Sequence, residues 1–182
     1  MKLGKTLYIT ERKEWRKWLI RHHDTEKEIW LVYYKKDSGK PSLLYNDAVD
    51  EALCFGWIDS MIKKIDGESR AQRFTPRRPK SQFSEMNKER VRRLIKEGKM
   101  TPAGLIAAGD ISIEKFDISS DILKALKSDK QIWQNFQSFP ESYKRIRVGW
   151  IDRARKRPEE FDKRLNYFMR MTAKNKKYGM VQ

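Results

Sequence analysis

Hydrophobic residues recur at two different periods along this chain, and the period changes about two thirds of the way through. In the first part, TLYIT at 6–10 and EIWLVYYKK at 28–36 predict strands, and SMIKKID and SRAQRFT predict a hairpin across Asp66-Gly67-Glu68. In the second part only helical spacing remains. The pattern predicts an α+β fold: an N-terminal domain over 1–110 with a small antiparallel sheet and packed helices, then a small C-terminal helical domain over 111–182.

Capping and breaking residues predict where the N-terminal helices begin and end. Asn46 is expected to cap a helix that runs from Tyr45 to Trp57. Ser84 is expected to cap the helix NKERVRRLIKEG, which Gly98 ends. Thr101-Pro102 then starts a short helix, because proline is favoured at the first helical position.

The C-terminal helices carry similar signals. Ser128 with Gln131, and Ser138 with Glu141, have the spacing of capping boxes. Pro158 is expected to start the last helix. The linker between the two domains is expected in GDISIEKFDISS.

Charge is the strongest global feature of the chain, whose formal net charge is +16 at pH 7. Residues 1–110 hold 24 Lys and Arg against 16 Asp and Glu, and residues 111–182 hold 17 against 9, so each part carries +8. A field of this sign attracts nucleic acid, acidic lipid or phosphorylated metabolites. A solvated basic surface without a partner is the alternative interpretation.

The remaining composition limits the class of protein. No apolar run approaches the roughly 18 residues of a membrane-spanning helix, and the start MKLGKTLYITERKEW has no apolar signal region. The single cysteine, Cys54, cannot form an internal disulfide. We therefore expect a cytoplasmic protein without a transmembrane segment, and the sequence gives no indication of its oligomeric state.

The stretches EALCFGWIDS and FTPRRPKSQFSEMN predict a ligand site that favours an anionic group. The arginines and lysine offer donors to phosphate or carboxylate, and the start of the following helix offers free N–H groups. Trp57 is expected to provide a stacking surface and Asp59 an acceptor. The candidate ligand-binding residues are Trp57, Asp59, Arg73, Arg77, Arg78, Lys80, Ser81 and Asn87. In the alternative interpretation Trp57 lies in the core, Asp59 caps a turn and the arginines pair with carboxylates.

Other chemistry has little support in the sequence. Cys54 lies among Ala52, Leu53 and Phe55 and is expected to be a buried, unreactive thiol. The adjacent His22 and His23 cannot share a helix face, so no metal site is expected there. The chain has no P-loop, no GxGxxG and no CxxC, so we expect no cofactor, and no catalytic residue is assigned.

The tetrapeptide GWID occurs at 56–59 and again at 149–152. The first copy closes the predicted helix and leads into a hairpin, whereas the second lies inside a basic helical segment. Nothing else matches at this offset, although a true repeat is similar along its whole unit. The pair is therefore a local coincidence and not a duplication.

The chain resembles the bacteriocin-protection family, also called YdeI/OmpD-associated proteins. The N-terminal resemblance lies in EALCFGWIDS and AQRFTPRRPKSQFSEMNKERVRRLIKEGKMTPAGL, and the weaker C-terminal one in IWQNFQSFPESYKRIRVGWIDRARKRPEE. The chain departs from the family pattern at Ser60, at Phe83 and at residues 158–161. The resemblance implies an α+β domain followed by a helical domain, and a link to bacteriocin resistance, but no reaction and no cofactor.

Three functions remain open at this point. The first is a ligand- or partner-binding protein with an anion-binding pocket, whose partner would be an anionic small molecule. The second is a nonspecific nucleic-acid binder, which requires a continuous basic face. The third is an enzyme acting on an acidic or phosphorylated small molecule, with Asp59 as the acid/base candidate, and turnover would separate it from the first.

Overall fold

Four strands form one sheet in the computed structural model, which describes residues 3–79, 81–111 and 116–179. The strands are β1 (Thr6–Leu7), β2 (Ile29–Tyr34), β3 (Trp57–Lys64) and β4 (Ser69–Pro76). Their order is β1-β2-β4-β3, with β1 parallel to β2 and the other pairs antiparallel. The strand predicted over 6–10 is confirmed only for its first two residues.

The predicted hairpin is confirmed as β3 and β4. Its turn is held by Asp66, whose Oδ1 accepts hydrogen bonds from the backbone N–H groups of Glu68 at 2.8 Å and Ser69 at 2.7 Å. The register places Asp59 opposite Phe74 but Ile62 opposite Gln72, so β3 contains one extra residue between these pairs. Because of this bulge, Asp59 and Ile62 lie on the same face of the sheet.

Helices α1 (Arg12–His22) and α2 (Tyr45–Cys54) pack on that face. The ring centroid of Trp15 lies 5.6 Å from that of Phe74, and the Trp15 indole N–H donates to the carbonyl of Ala48 at 3.0 Å. Both rings are fully buried. The apolar face of α1 and the inward residues of β4 therefore form one core with α2.

Helix α3 (Glu85–Lys96) begins and ends near the predicted signals, and α4 (Pro102–Ala108) begins at the predicted one. The Ser84 hydroxyl accepts from the backbone N–H of Asn87 at 3.2 Å, and Gly98 follows α3 with a φ of 65°. The Thr101 side chain accepts from the backbone N–H of Gly104, so threonine caps α4 as expected.

Two predictions around α2 are wrong. Asn46 does not cap the helix, because the residue before α2 is Leu44 and the Asn46 Oδ1 accepts a hydrogen bond from Arg90 instead. The helix also ends at Cys54 and does not reach Trp57. Gly56, with a φ of 74°, reverses the chain, and Trp57 becomes the first residue of β3.

The described residues divide into two compact units. Unit 1 contains the described residues up to Ser81 together with Arg90–Ile111. Unit 2 contains Gln82–Glu89 and residues 116–179. The expected linker GDISIEKFDISS lies partly outside the described residues, at 112–115.

Unit 2 is built from α5 (Ser120–Lys127), α6 (Lys130–Ser138), α7 (Glu141–Asp152) and α8 (Pro158–Ala173). Pro158 starts α8 as predicted. The prediction of two capping boxes is wrong. The residues that directly precede α6 and α7 are Asp129 and Pro140. The hydroxyls of Ser128 and Ser138 instead donate to backbone carbonyls of the preceding helices, α5 and α6. The core of the unit consists of Ile122, Leu126, Phe136, Phe139, Tyr143, Val148, Ile151 and Phe168.

The two GWID stretches lie in different kinds of secondary structure. The first leaves α2 and enters β3, whereas the second forms the last residues of α7. No described helix has both the length and the apolar character needed to cross a membrane.

Candidate functional site

Trp57, the expected stacking surface, lies in the core of unit 1. Its side chain is 1% exposed, its indole N–H donates to the carbonyl of His23 at 2.9 Å, and its ring packs edge-on against Trp18 at 5.8 Å. No face of the ring is open to a ligand. This arrangement agrees with the packing interpretation of the residue.

Arg73 is engaged by the carboxylate of Glu28, the residue that precedes β2. Its Nε and Nη2 donate to the Oε2 of Glu28 at 2.8 and 2.5 Å. The bond from Arg73, together with one from the Trp30 indole, holds the pKa of Glu28 below its ordinary value. The charge of Arg73 is thus matched inside unit 1.

The loop after β4 contains three more of the candidates, Arg77, Arg78 and Ser81. The backbone N–H of Arg77 donates to the carbonyl of Gly56 at 2.9 Å, so the loop starts beside the first GWID. The Arg77 Nη2 donates to the carbonyl and the hydroxyl of Ser81 at 2.9 and 3.0 Å, while Arg78 is exposed. The loop therefore folds on itself through Arg77 and Ser81, and the predicted residue Lys80 lies outside the described residues.

Asn87 belongs to the first part of α3, which is assigned to unit 2, whereas the other described candidates belong to unit 1. The structure brings Arg77 and Ser81 together in one loop. It places the Trp57 ring in the core and pairs the Arg73 guanidinium with Glu28. Binding by the loop itself stays a prediction.

Asp59 is the predicted residue with the most specific surroundings. Its Oδ2 accepts a hydrogen bond from the Tyr45 hydroxyl at 2.9 Å and another from the Gln72 Nε2 at 2.9 Å. Burial raises the pKa of Asp59, and burial together with the nearby carboxylate raises the pKa of Tyr45 to about 12. The hairpin and α2 thus hold a half-buried carboxylate in a network of neutral donors.

A second polar network joins three helices of unit 1 and was not found from the sequence. The carboxylates of α2 at Asp50 and Glu51 are buried, and each accepts from two guanidinium groups. Their partners lie on α1 and α3 and are Arg12, Arg16, Arg90 and Arg93. These arginines pair with the buried carboxylates of α2, which would otherwise be unpaired charges, and are therefore engaged inside unit 1.

A cavity of about 440 Å³ lies at the turn end of the hairpin. We call it the Tyr33 cavity, and Tyr33, Tyr34 and Ile62 supply its apolar lining. Tyr33 is only 6% exposed, and its hydroxyl is buried without a hydrogen-bond partner in the described part of the chain. Burial raises the pKa of Tyr33, so the group remains a neutral hydroxyl that can donate or accept.

The rim of the Tyr33 cavity is basic. Lys35, Lys36, Lys64 and Arg70 line it and are exposed, and none of them forms an ion pair with a described residue. The two acids at the rim are already engaged, Asp66 by the backbone of its own turn and Glu68 by Lys40 at 3.7 Å. The cavity therefore combines an apolar lining, a buried hydroxyl and an unmatched positive charge.

The structure also bears on thiol and metal chemistry. Cys54 is buried as predicted, and burial raises the pKa of its thiol to about 11, which disfavours the nucleophilic thiolate. Among residues 3–79, 81–111 and 116–179, no three His, Cys, Asp or Glu side chains are grouped as a metal site would require.

The geometry describes an α+β unit with a basic cavity on its hairpin, followed in the chain by a helical unit. Residues 7–107 match the family model described as a domain of unknown function, DUF8412. Because this match spans more than half of the chain, the chain belongs to that family. No curated protein and no solved structure matches the chain.

Residues 115–175 match a second family model, described as Bacteriocin-protection, YdeI or OmpD-Associated. The resemblance to that family is therefore confirmed, for the C-terminal part of the chain. The N-terminal motifs in which the resemblance looked strongest lie within the match to the other model.

Proposed function

We propose that this protein is a cytoplasmic ligand-binding protein that takes a small anion with an apolar body in the Tyr33 cavity. The observation that carries the proposal is a set of four cations without ion-pair partners among the described residues, around a buried hydroxyl to which no described residue hydrogen-bonds. This site lies on the hairpin that the sequence singled out, but at the end opposite the TPRRPKS loop.

Size and charge indicate the class of ligand. A cavity of about 440 Å³ lies in the range of about 300–1,000 Å³ that is usual for small-molecule sites. Arg70 and the lysines suit a phosphate or carboxylate, and Tyr34 and Ile62 suit an apolar portion beside it. The Tyr33 hydroxyl can form one directional hydrogen bond with a polar atom between the anionic group and the apolar portion of the ligand.

The test is a thermal-shift screen of dicarboxylates, sugar phosphates and nucleotides, followed by calorimetric titration of each compound that stabilises the protein. We expect Arg70→Gln to weaken binding about 10-fold or more, since hydrogen bonds to charged groups contribute about 1.5–3 kcal/mol. Tyr33→Phe removes only the hydroxyl and should weaken binding about 2- to 10-fold. Lys17→Gln is the matched control, because Lys17 is an exposed cation on α1 away from the cavity.

Stability separates a binding role of Tyr33 from a structural one. Because its buried hydroxyl has no partner in the described chain, Tyr33→Phe should leave the melting temperature of the free protein unchanged or raise it. The proposal fails if Arg70→Gln and Tyr33→Phe bind every compound as the Lys17→Gln protein does.

The two alternative functions are also outcomes of these experiments. Turnover of a bound compound that is lost in Asp59→Asn would favour the enzyme, since Asp59 has a raised pKa and a tyrosine donor. Nucleic-acid binding that falls linearly on a log–log plot against salt, and that charge substitutions in both units weaken equally, would favour the nonspecific binder.

A further inference from the structure

Unit 2 contains a cavity of about 580 Å³ between α7 and α8. We call it the Trp150 cavity. Trp150 and Tyr167 supply its aromatic lining, and its polar lining consists of one acid and four basic or neutral groups, Glu160, Lys163, Arg164, Asn166 and Arg170. The sequence did not predict this cavity, because Trp150 lies on α7 and the other residues lie on α8.

The aromatic residues are held in place by a third ring. Tyr178 packs edge-on against Tyr167 at 4.7 Å and against Trp150 at 6.3 Å between ring centroids. The backbone N–H of Tyr178 donates to the Tyr143 hydroxyl at 3.2 Å, which fixes the segment after α8. Tyr178 thus packs against both Trp150 and Tyr167, and both of these rings line the cavity.

The cations of the cavity divide into a matched and an unmatched group. Arg164 lies 4.5 Å from the Trp150 ring centroid and is paired with Glu160 at 2.7 Å. Lys163 and Arg170 have no ion-pair partner among the described residues, and the Arg170 guanidinium lies 5.1 Å from the centroid of the Tyr167 ring. The unmatched charge therefore lies beside the exposed tyrosine.

A buried cation adds to this charge. Arg147 is only 6% exposed, and its Nε has no hydrogen-bond partner in the described part of the chain. Its guanidinium lies 4.4 Å from the ring centroid of Tyr178 and 5.9 Å from that of Trp150. No described carboxylate pairs with it, so the positive field behind the aromatic lining is not cancelled locally.

We propose that the Trp150 cavity binds a nucleoside phosphate unit, with the base stacked on the aromatic lining and the phosphate held by Lys163 and Arg170. Aromatic side chains beside unpaired basic residues are the combination that stacks a base and neutralises its phosphate. Asn166 offers both a donor and an acceptor to the edge of a base. The site is separate from the Tyr33 cavity and does not depend on the function proposed for it.

The experiment titrates the full chain with adenosine 5′-monophosphate by calorimetry at low salt. Adenosine and inorganic phosphate are titrated in parallel, because each carries one half of the recognised chemistry. We expect the nucleotide to bind about 10-fold or more tightly than either half. A single-stranded adenine hexanucleotide shows whether the natural ligand is a free nucleotide or part of a nucleic-acid strand. If the hexanucleotide binds much more tightly per site than the mononucleotide, the ligand is a strand. If the two bind equally tightly, it is a free nucleotide.

Paired substitutions assign the binding to this cavity. Tyr167→Leu should weaken binding of the mononucleotide about 10-fold, whereas Tyr167→Phe, which keeps the ring, should bind as the wild type does. Arg170→Gln should also weaken it about 10-fold. Lys124→Gln, which removes an exposed cation on α5 that does not line the cavity, is the control that leaves this binding event unchanged.

Several results would overturn the proposal. One is the absence of binding by both the nucleotide and the hexanucleotide. Another is binding that Tyr167→Leu and Arg170→Gln leave intact. A third is inorganic phosphate binding as tightly as the nucleotide, since the charge alone would then explain the affinity and the aromatic lining would have no role.

Discussion

At the scale of single residues, unit 1 keeps one carboxylate under conditions that favour its protonated form. Asp59 accepts from Tyr45 and Gln72, but burial still raises its pKa. The carboxylates of Asp50 and Glu51 are also buried, but each of them is paired with two guanidinium groups. Protonation of Asp59 should therefore make a separate contribution to the pH dependence of stability.

We expect Asp59→Asn to change how stability depends on pH. A raised pKa in the folded state means that the contribution of Asp59 to stability is fully present below its ordinary pKa and is lost as pH rises through the raised value. Asparagine keeps an oxygen that accepts from Tyr45 and Gln72 but cannot ionise. The free energy of unfolding of the variant, relative to the wild type, should thus rise with pH over that window and then remain constant.

Urea denaturation at a series of pH values measures this difference. Groups other than Asp59 titrate in both proteins, so their effects cancel in the comparison. A difference between the variant and the wild type that does not change with pH would contradict a raised pKa of Asp59.

At the scale of elements, glycines decide how closely helices and strands approach one another. The glycines of the two GWID stretches are needed for different reasons. Gly56 adopts a φ of 74°, and a Cβ there would lie 2.8 Å from that of Ala107. Gly149 is helical, and a Cβ there would lie 2.5 Å from the Glu85 Cγ. The shared tetrapeptide thus does not reflect a shared structural role.

Gly104 gives the clearest prediction at this scale. It lies in α4 where the helix meets the end of α2, and a Cβ on it would overlap the carbonyl of Cys54, 2.6 Å from its carbon atom. Helix propensity alone favours alanine over glycine by about 1 kcal/mol. Because the clash is with backbone, we expect Gly104→Ala to lower the free energy of unfolding by about 1–3 kcal/mol or more, opposite to the propensity.

Chemical denaturation of the variant measures the effect, and Gly67→Ala is its matched control. Gly67 lies in the hairpin turn with no atom within 4 Å of a built Cβ, so this substitution should change stability by no more than about 0.5 kcal/mol. A Gly104→Ala protein as stable as the wild type would show that α4 does not dock on α2 as described.

At the scale of the whole molecule, the net charge of +16 determines which charged partners the surface attracts or repels. Many of its arginines form ion pairs inside a unit, but the four cations of the Tyr33 cavity and two of the Trp150 cavity do not pair with described residues. Such a surface repels cationic peptides and attracts anions. Direct neutralisation of a cationic peptide is therefore disfavoured.

We expect a fluorescent cationic amphipathic peptide to show no binding at low ionic strength. An anionic peptide of equal length should bind weakly and lose that binding as salt is added, because the attraction is screened. Fluorescence anisotropy measures both. Tight binding of the cationic peptide that weakens with salt would show that a local acidic surface overrides the net charge.

Features that depend only on neighbouring residues could be predicted from the amino-acid sequence. The Asp66 turn, the Ser84 and Thr101 caps, and the start of α8 at Pro158 depend on local backbone preferences and hydrogen bonds within a few residues. The alternation between strand and helix patterns also indicated the α+β class correctly.

The tertiary structure decided which side chains are engaged and which remain available. Asn46 had the composition of a cap, but Arg90, 44 residues away in the chain, binds its oxygen. Arg73 was expected to bind a ligand, but strand pairing placed it beside Glu28. Tyr33, Lys64 and Arg70 line one cavity because β2, β4 and β3 are neighbours in the sheet. Hydrophobic periodicity shows the face on which a residue lies but not which distant residue will face it, since that depends on packing of the whole chain.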